Sequence, residues 1–418
     1  MIKQYEKILY NGDRYMLELK DFEAAADRLK NVIHNIPLST SATFSAMTGA
    51  EVYLKYENQQ KTGSFKVRGA YNKIMKRYAE GDLHAVVASS AGNHAQGVAF
   101  AASSVGVKST IVMPRSTPIA KVSATQGYGA DVVLAGNIYD EAYAKACEIC
   151  EETGAEFIHP FDDEDVMAGQ GTIALEILRD LPFVDMIFVP AGGGGLISGV
   201  AACAKQINPR IQIIGVQAEG APAIANSFRT GERTPSDTVH TIADGIAVKT
   251  PGEKTFEYIQ KYVDRVVTVS DDEIASAVLL LLERCKQVVE TSGAAPLAAV
   301  LNNKVDVKGK KVVCVLSGGN IDVSFIHKIV EKGLITRCRQ LKFSVLMPDA
   351  PGALEHFSHI VAQQNANIIL FQHDRVQTDL EIGEAIIHVV CEVGGVDHAK
   401  RLIDTLTDDG YKVFTSQI

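Results

Sequence analysis

Six short apolar runs constrain this chain more than anything else in it. They are "HAVVAS" at 84–89, "STIVMP" at 109–114, "ADVVLA" at 130–135, "MIFVPA" at 186–191, "IQIIGVQA" at 211–218 and "KVVCVLS" at 311–317. Each is rich in Val and Ile, and amphipathic helical stretches separate them. A strand that is apolar on both faces must be covered on both, so the pattern predicts parallel sheets sandwiched by helices. The architecture to about residue 335 is therefore expected to be α/β. The remainder changes character. From "LKFSVLMPDAPGAL" onward it reads strand, helix, strand, strand, helix, strand. That βαββαβ order over about 80 residues is a ferredoxin-like unit. The expected division is 1–335, with a smaller lobe at 55–160 inside it, then 340–418, with "EKGLITRCRQ" at 331–340 as the joint.

Composition removes several functions. Of 418 residues, 46% are hydrophobic and 22% charged, a globular balance long enough for two or three domains. The formal net charge of −9 argues against nucleic acid or an anionic membrane as partner. No apolar run reaches the ~18 residues of a membrane span. The opening "MIKQYEKILYNGDRYML" carries charges throughout, unlike a signal peptide. Seven scattered cysteines suggest reduced thiols in a cytoplasmic protein. Cys147 and Cys150 form C-x-x-C, but on a helix among acidic residues that disfavour a thiolate, so the pair reads as structural.

Four motifs carry chemistry. In "KTGSFKVRGAY" at 61–71, Lys66 stands behind Phe65 among small residues. Two readings stand: a solvated lysine on a helix capped by Ser64, or a lysine that forms a Schiff base with an aldehyde cofactor. In "SSAGNHAQGVAF" at 89–100, a strand gives way to a helix. The helix start offers free amides and a positive dipole end to an anion such as a substrate carboxylate, and Asn93 adds an amide for a phenolic oxygen; a plain turn capped by Ser89 or Ser90 is the alternative. In "VPAGGGGLISGV" at 189–200, four glycines between a strand and a helix suit a phosphate. In "LSGGN" at 316–320, Ser317 follows a strand and reads as a turn or as a partner for a ring nitrogen. The glycine loop, with Glu219 beyond it, imitates a dinucleotide site. But the third small position of G-x-G-x-x-G falls on Ile197 or Ser198, depending on the frame, so one phosphate is expected.

Taken together, "SFKVRGAYNK", "SSAGNHAQG", "AGGGGLISG" and "LSGGN" resemble the motif set of threonine dehydratases. Those are pyridoxal-phosphate enzymes of fold type II, the tryptophan synthase β-like, two-lobed fold. The terminal segment with "LMPDAPGAL" resembles an ACT regulatory domain. The resemblance implies pyridoxal 5′-phosphate as cofactor. It places Lys66 as the lysine bonded to it, Phe65 beside its ring and Asn93 on its 3′-hydroxyl. Gly192, Gly193, Gly194, Gly195 and Leu196 become the phosphate cradle, and Ser317 the partner of the pyridine nitrogen. Ser90, Ala91, Gly92, Asn93 and His94 form the substrate loop.

The implied reaction is deamination of L-threonine to 2-oxobutanoate, with L-serine as a further substrate. Serine or hydroxyaspartate dehydratase, a racemase, and a catalytically silent amino-acid sensor are the alternatives. Against a racemase, Ala91 stands where serine racemases, by resemblance, carry a second acid/base. Gln217 and Ala223 stand where they carry acidic metal ligands, so no metal is expected. The resemblance also implies a homotetramer or dimer. It implies an effector, isoleucine or valine with AMP as the other possibility, near Pro351, Gly352, Asn365 and Asn367.

Overall fold

A computed structural model describes residues 16–81, 83–375 and 381–415. The opening stretch through residue 15 therefore lies outside the described residues. By contacts the chain divides between Ile321 and Asp322 into two compact units. The helix Val323–Thr336 goes with the second unit, so the division precedes the stretch at 331–340 expected as the joint.

In the first unit the strands run β1 (Ser39–Thr40), β2 (Glu51–Tyr56), β3 (Ala85–Ser89), β4 (Lys108–Met113), β5 (Asp131–Leu134), β6 (Glu156–Phe157), β7 (Met186–Pro190), β8 (Gln212–Ala218), β9 (Arg265–Val269) and β10 (Lys311–Leu316). They form two sheets. One has six strands in the order β1-β2-β10-β7-β8-β9, parallel except for β1. The other has four parallel strands in the order β5-β4-β3-β6. All six expected apolar runs are strands. β7 is buried at every position, as a strand covered on both faces must be. Its cover includes helices Glu164–Asp180 and Gly195–Ile207, which share a core with Phe22, Ile187 and Ile213. The smaller sheet packs against helices Lys66–Glu80 and Asn93–Ser104 through Ile74, Val98 and Ile111.

The second unit holds β11 (Gln340–Pro348), β12 (Asn367–Asp374), β13 (Glu384–Glu392) and β14 (Lys412–Phe414) in one antiparallel sheet, order β12-β13-β11-β14. β11 and β13 alternate buried and accessible residues. That is the signature of a sheet with one covered face, and helices Ala353–Gln363 and Val396–Asp408 cover it through Phe357, Ile360 and Leu402. Among the described residues no helix is long and apolar enough to cross a membrane.

Cys147 and Cys150 lie three apart on the helix Tyr139–Thr153. Burial holds both thiols above the ordinary range, against a bond from Tyr143 at Cys147 and with help from Cys147, Glu151 and Glu156 at Cys150, which is pushed up to about 12. They are not thiolates near neutrality.

Candidate active site

The four motifs follow the carboxyl ends of four parallel strands: β2 leads to Lys66, β3 to Asn93, β7 to the glycine loop and β10 to Ser317. In open α/β sheets that end is where ligands are received. β10 lies between β2 and β7, so three of the loops are neighbours by construction. Backbone bonds tie two of them. The Phe65 amide donates to the Ser317 carbonyl at 3.0 Å, and Ser64 bridges to Gly318.

Lys66 is the first residue of the helix Lys66–Glu80, and Phe65 precedes it in helical conformation. Ser64 does not cap this helix; it is fully buried and its hydroxyl has no partner. The Lys66 amine lies 5.3 Å from the Phe65 ring centroid and donates to the Pro160 carbonyl at 2.6 Å. Enclosure by protein, opposed by the charge of Glu290, lowers its pKa from 10.5 to about 8. The neutral, nucleophilic amine is therefore half-populated near pH 8. In the cofactor-free protein, labelling of the Lys66 peptide by an acylating reagent should rise with a midpoint near that pH, read by mass spectrometry. A midpoint near the ordinary 10.5 would contradict the environment described.

The loop 90–93 is half-buried and opens the helix Asn93–Ser104. No side chain caps it, neither Ser89 nor Ser90; Ser90 Oγ accepts instead from the Gly92 amide at 3.3 Å. His94 is buried, and its Nε2 faces the Ile158 carbonyl at 2.8 Å. A carbonyl only accepts, so Nε2 carries the hydrogen, and Nδ1 is left as a buried acceptor without a partner. Burial, then the charge of Lys66, lowers this imidazole to about 3, so it is neutral.

The glycine loop is buried throughout. Gly194 has φ +100°, a region that side chains resist, and it immediately precedes the helix Gly195–Ile207. At Gly193 a Cβ would stand 2.4 Å from the Phe161 ring. Thr255 Oγ1 donates to the Gly193 carbonyl at 2.7 Å. The first amide of that helix to find a carbonyl within the turn is Ser198, bonded to Gly194 at 2.9 Å. The amides before it, at the dipole's positive end, are free to receive an anion. Ser317 is buried at the end of β10. Loop, lysine, Asn93 and serine thus converge, and the readily deprotonated amine, the glycine loop at a helix start and the buried hydroxyls fit a phosphorylated aldehyde.

The effector residues divide. Pro351 and Gly352 line a cleft of about 290 Å³ in the second unit, with Asp349, His373 and Arg375. Asn365 and Asn367 are exposed and do not line it.

Sequence reading missed Glu290. Its backbone pairs with Gly318, and its side chain turns from the helix it precedes toward Asn93. Burial raises its carboxyl to about 7, against the pull of Asn93, Lys121 and Lys66. A single Glu before "TSGAAPLAAVL" offers no signal of this, because its partner lies 197 residues away.

Fold and site define a class. The family model for pyridoxal-phosphate dependent enzymes matches residues 29–318, and the chain belongs to that family. Within it, the L-threonine ammonia-lyase of Thermotoga maritima is 50% identical over 95% of this chain and 99% of its own. The processed threonine deaminase isoform 2 of Solanum lycopersicum superposes with a TM-score of 0.71 at 39% identity, over 77% of this chain and 95% of that one. Maize serine racemase gives 0.72 at 36% identity, over 77% and 98%.

Proposed function

We propose that this protein deaminates L-threonine to 2-oxobutanoate and ammonia, and L-serine to pyruvate. The observation that carries the reading is geometric: the Lys66 amine donates to Pro160, whose neighbour Phe161 abuts Gly193, while Phe65 is bonded to Ser317 and Asn93 to Glu290. Pyridoxal phosphate, when bound, supplies the sink for the electron pair left at the substrate Cα. Lys66 would anchor it, and its amine, which loses its proton far more readily than an ordinary lysine, would take the Cα proton. The start of the helix Asn93–Ser104, with Ser90, Ala91, Gly92 and His94, receives the substrate carboxylate. Gly192 to Gly195 and Leu196 hold the phosphate. Phe65 would flank the ring, and Ser317 would meet its nitrogen with an uncharged hydroxyl rather than a carboxylate.

Two features speak against racemisation. Ala91 offers no second acid/base, and neither Gln217, whose side-chain oxygen accepts from the Ala225 amide at 2.8 Å, nor Ala223 supplies a carboxylate. Purified protein with the cofactor and threonine should release 2-oxobutanoate. Absence of keto acid would indicate a silent sensor, and D-serine formed from L-serine would indicate a racemase.

The same reading carries a cytoplasmic homotetramer or dimer controlled through the second unit. Arg375 and Asp349 pair with each other at 3.3 Å; an amino acid entering there would offer its carboxylate to the one and its ammonium to the other, with Pro351 and Leu354 against an aliphatic side chain such as that of isoleucine or valine. Calorimetry should show heat on adding isoleucine, with threonine turnover falling. No heat from isoleucine or valine, with unchanged kinetics, would remove this effector.

A further inference from the structure

The Asn93 amide is held at both ends. Its Nδ2 donates to Glu290 Oε1 and Oε2 at 2.9 and 3.0 Å. Its Oδ1 accepts from Asn320 Nδ2 at 2.7 Å. Asn320 Nδ2 also donates to the Thr62 carbonyl at 2.8 Å, which fixes the direction of Asn320 itself. The row therefore joins four segments: the start of the helix Thr291–Leu301, the start of the helix Asn93–Ser104, the loop after β10 and the loop before Lys66. Gly318 makes room for it. A Cβ there would stand 2.4 Å from Glu290 Oε1 and 3.1 Å from Asn93 Nδ2.

An amide can turn end for end at almost no steric cost, and only hydrogen-bond polarity decides which end points where. An ionised carboxylate accepts and does not donate, so Glu290 demands the nitrogen of Asn93. The Asn320 nitrogen demands the oxygen. Both contacts require the same orientation, and turning Asn93 would set oxygen against carboxylate and nitrogen against nitrogen. We infer that Glu290 and Asn320 are positioning residues that fix which end of Asn93 faces the cofactor's phenolic oxygen. The inference rests on the assignment of Asn93 to that oxygen. Glu290 is faced by Lys66, Lys121 and Asp244 besides Asn93. Its carboxyl lies near its titration range, so protonation would weaken the clamp at lower pH.

The test uses the full chain and reads cofactor binding rather than turnover. Asn93→Ala sets the scale: pyridoxal-phosphate affinity falls and the absorbance maximum of the loaded protein moves. Glu290→Ala should reproduce the direction of both changes, with affinity down about three- to tenfold, the span of one hydrogen bond. Glu290→Gln, which retains an acceptor, should restore most of the affinity. Asn320→Asp keeps the volume but turns a donor into an acceptor, so it should shift the spectrum although the fold is unchanged by circular dichroism. A purely structural role would alter the melting temperature and leave the spectrum in place. Wild-type affinity and spectrum in Glu290→Ala and Asn320→Asp, with Asn93→Ala altered, would overturn the clamp alone. A silent Asn93→Ala would overturn the assignment of Asn93 and the clamp with it. Should Glu290→Ala fail to fold, Glu290→Gln and Asn320→Asp carry the test: the clamp stands if Asn320→Asp moves the spectrum and falls if it does not.

Discussion

Replacing Lys66 by alanine is expected to abolish keto-acid formation, by about 10³-fold or more, while the fold survives. The amine has two duties, anchoring the cofactor and taking the Cα proton, and alanine performs neither. The stability side follows from its surroundings. Lys66 makes one hydrogen bond, to the Pro160 carbonyl, and the residue is only partly buried, so water can replace that bond. Below about pH 8 the folded chain holds a charged amine where enclosure resists charge, whereas the unfolded chain holds it freely up to about 10.5. Removing the amine relieves that cost at neutral pH, and above both values there is nothing to relieve. The melting temperature of Lys66→Ala at pH 7 should therefore match or exceed that of the parent. Borohydride treatment of the loaded parent should fix the cofactor to the Lys66 peptide, and the variant should show no such adduct. A variant that still forms 2-oxobutanoate would contradict the role given to Lys66.

What could be read from the sequence follows the physics of each element. The six apolar runs are strands because burial on both faces leaves no place for polar residues, and such runs are visible without context. β2, "EVYLKY", went unread because Lys55 interrupts it. That lysine is fully buried, bonded to Glu176, 121 residues further on. A charge compensated at that distance leaves no local mark. The glycine loop was legible because glycine is demanded by the backbone itself. Ser64 and Ser90 are plausible caps by residue type, yet the Ser64 hydroxyl is buried without a partner and Ser90 Oγ accepts from the Gly92 amide, so neither caps a helix. Glu290 was illegible for the reason that hid Lys55: its environment is assembled from segments distant in sequence. Asn365 and Asn367 rest on the resemblance to ACT domains alone; they are exposed, and the cleft at Pro351 and Gly352 is lined from β11, the turn after it and the end of β12.

The buried ion network under the Lys66 helix is where a single substitution should cost most stability. Arg68, fully buried, donates to both oxygens of Glu57 at 2.8 and 2.7 Å. It also donates to both oxygens of Glu176 at 2.6 and 2.9 Å, and to Thr172 at 3.0 Å. Lys55 adds a second cation on Glu176 at 2.5 Å. Burial alone would raise the Glu176 carboxyl, but Arg68 and Lys55 more than offset it and hold it below the ordinary range. Two cations thus balance two carboxylates in the interior. Arg68→Met strips Glu57 of the guanidinium and leaves Glu176 with Lys55, and an uncompensated buried charge costs about 3–5 kcal/mol. Against a total stability of roughly 5–15 kcal/mol, that should lower the melting temperature by on the order of 10 °C. Arg68→Lys should recover little, because a point charge cannot serve two carboxylates with five aimed donors. Adding Glu57→Gln to Arg68→Met removes one stranded charge and should restore part of the loss, read by thermal melts of the single and double variants. Arg68 lies two residues beyond Lys66 on the same helix, so the cost does not stop at stability. Once the guanidinium is gone, the helix start is no longer fixed to β2's end and to the helix Glu164–Asp180, and cofactor affinity should fall with the melting temperature. A melting temperature within a degree or two of the parent in Arg68→Met would show that the network relaxes around water and does not hold the lysine in place.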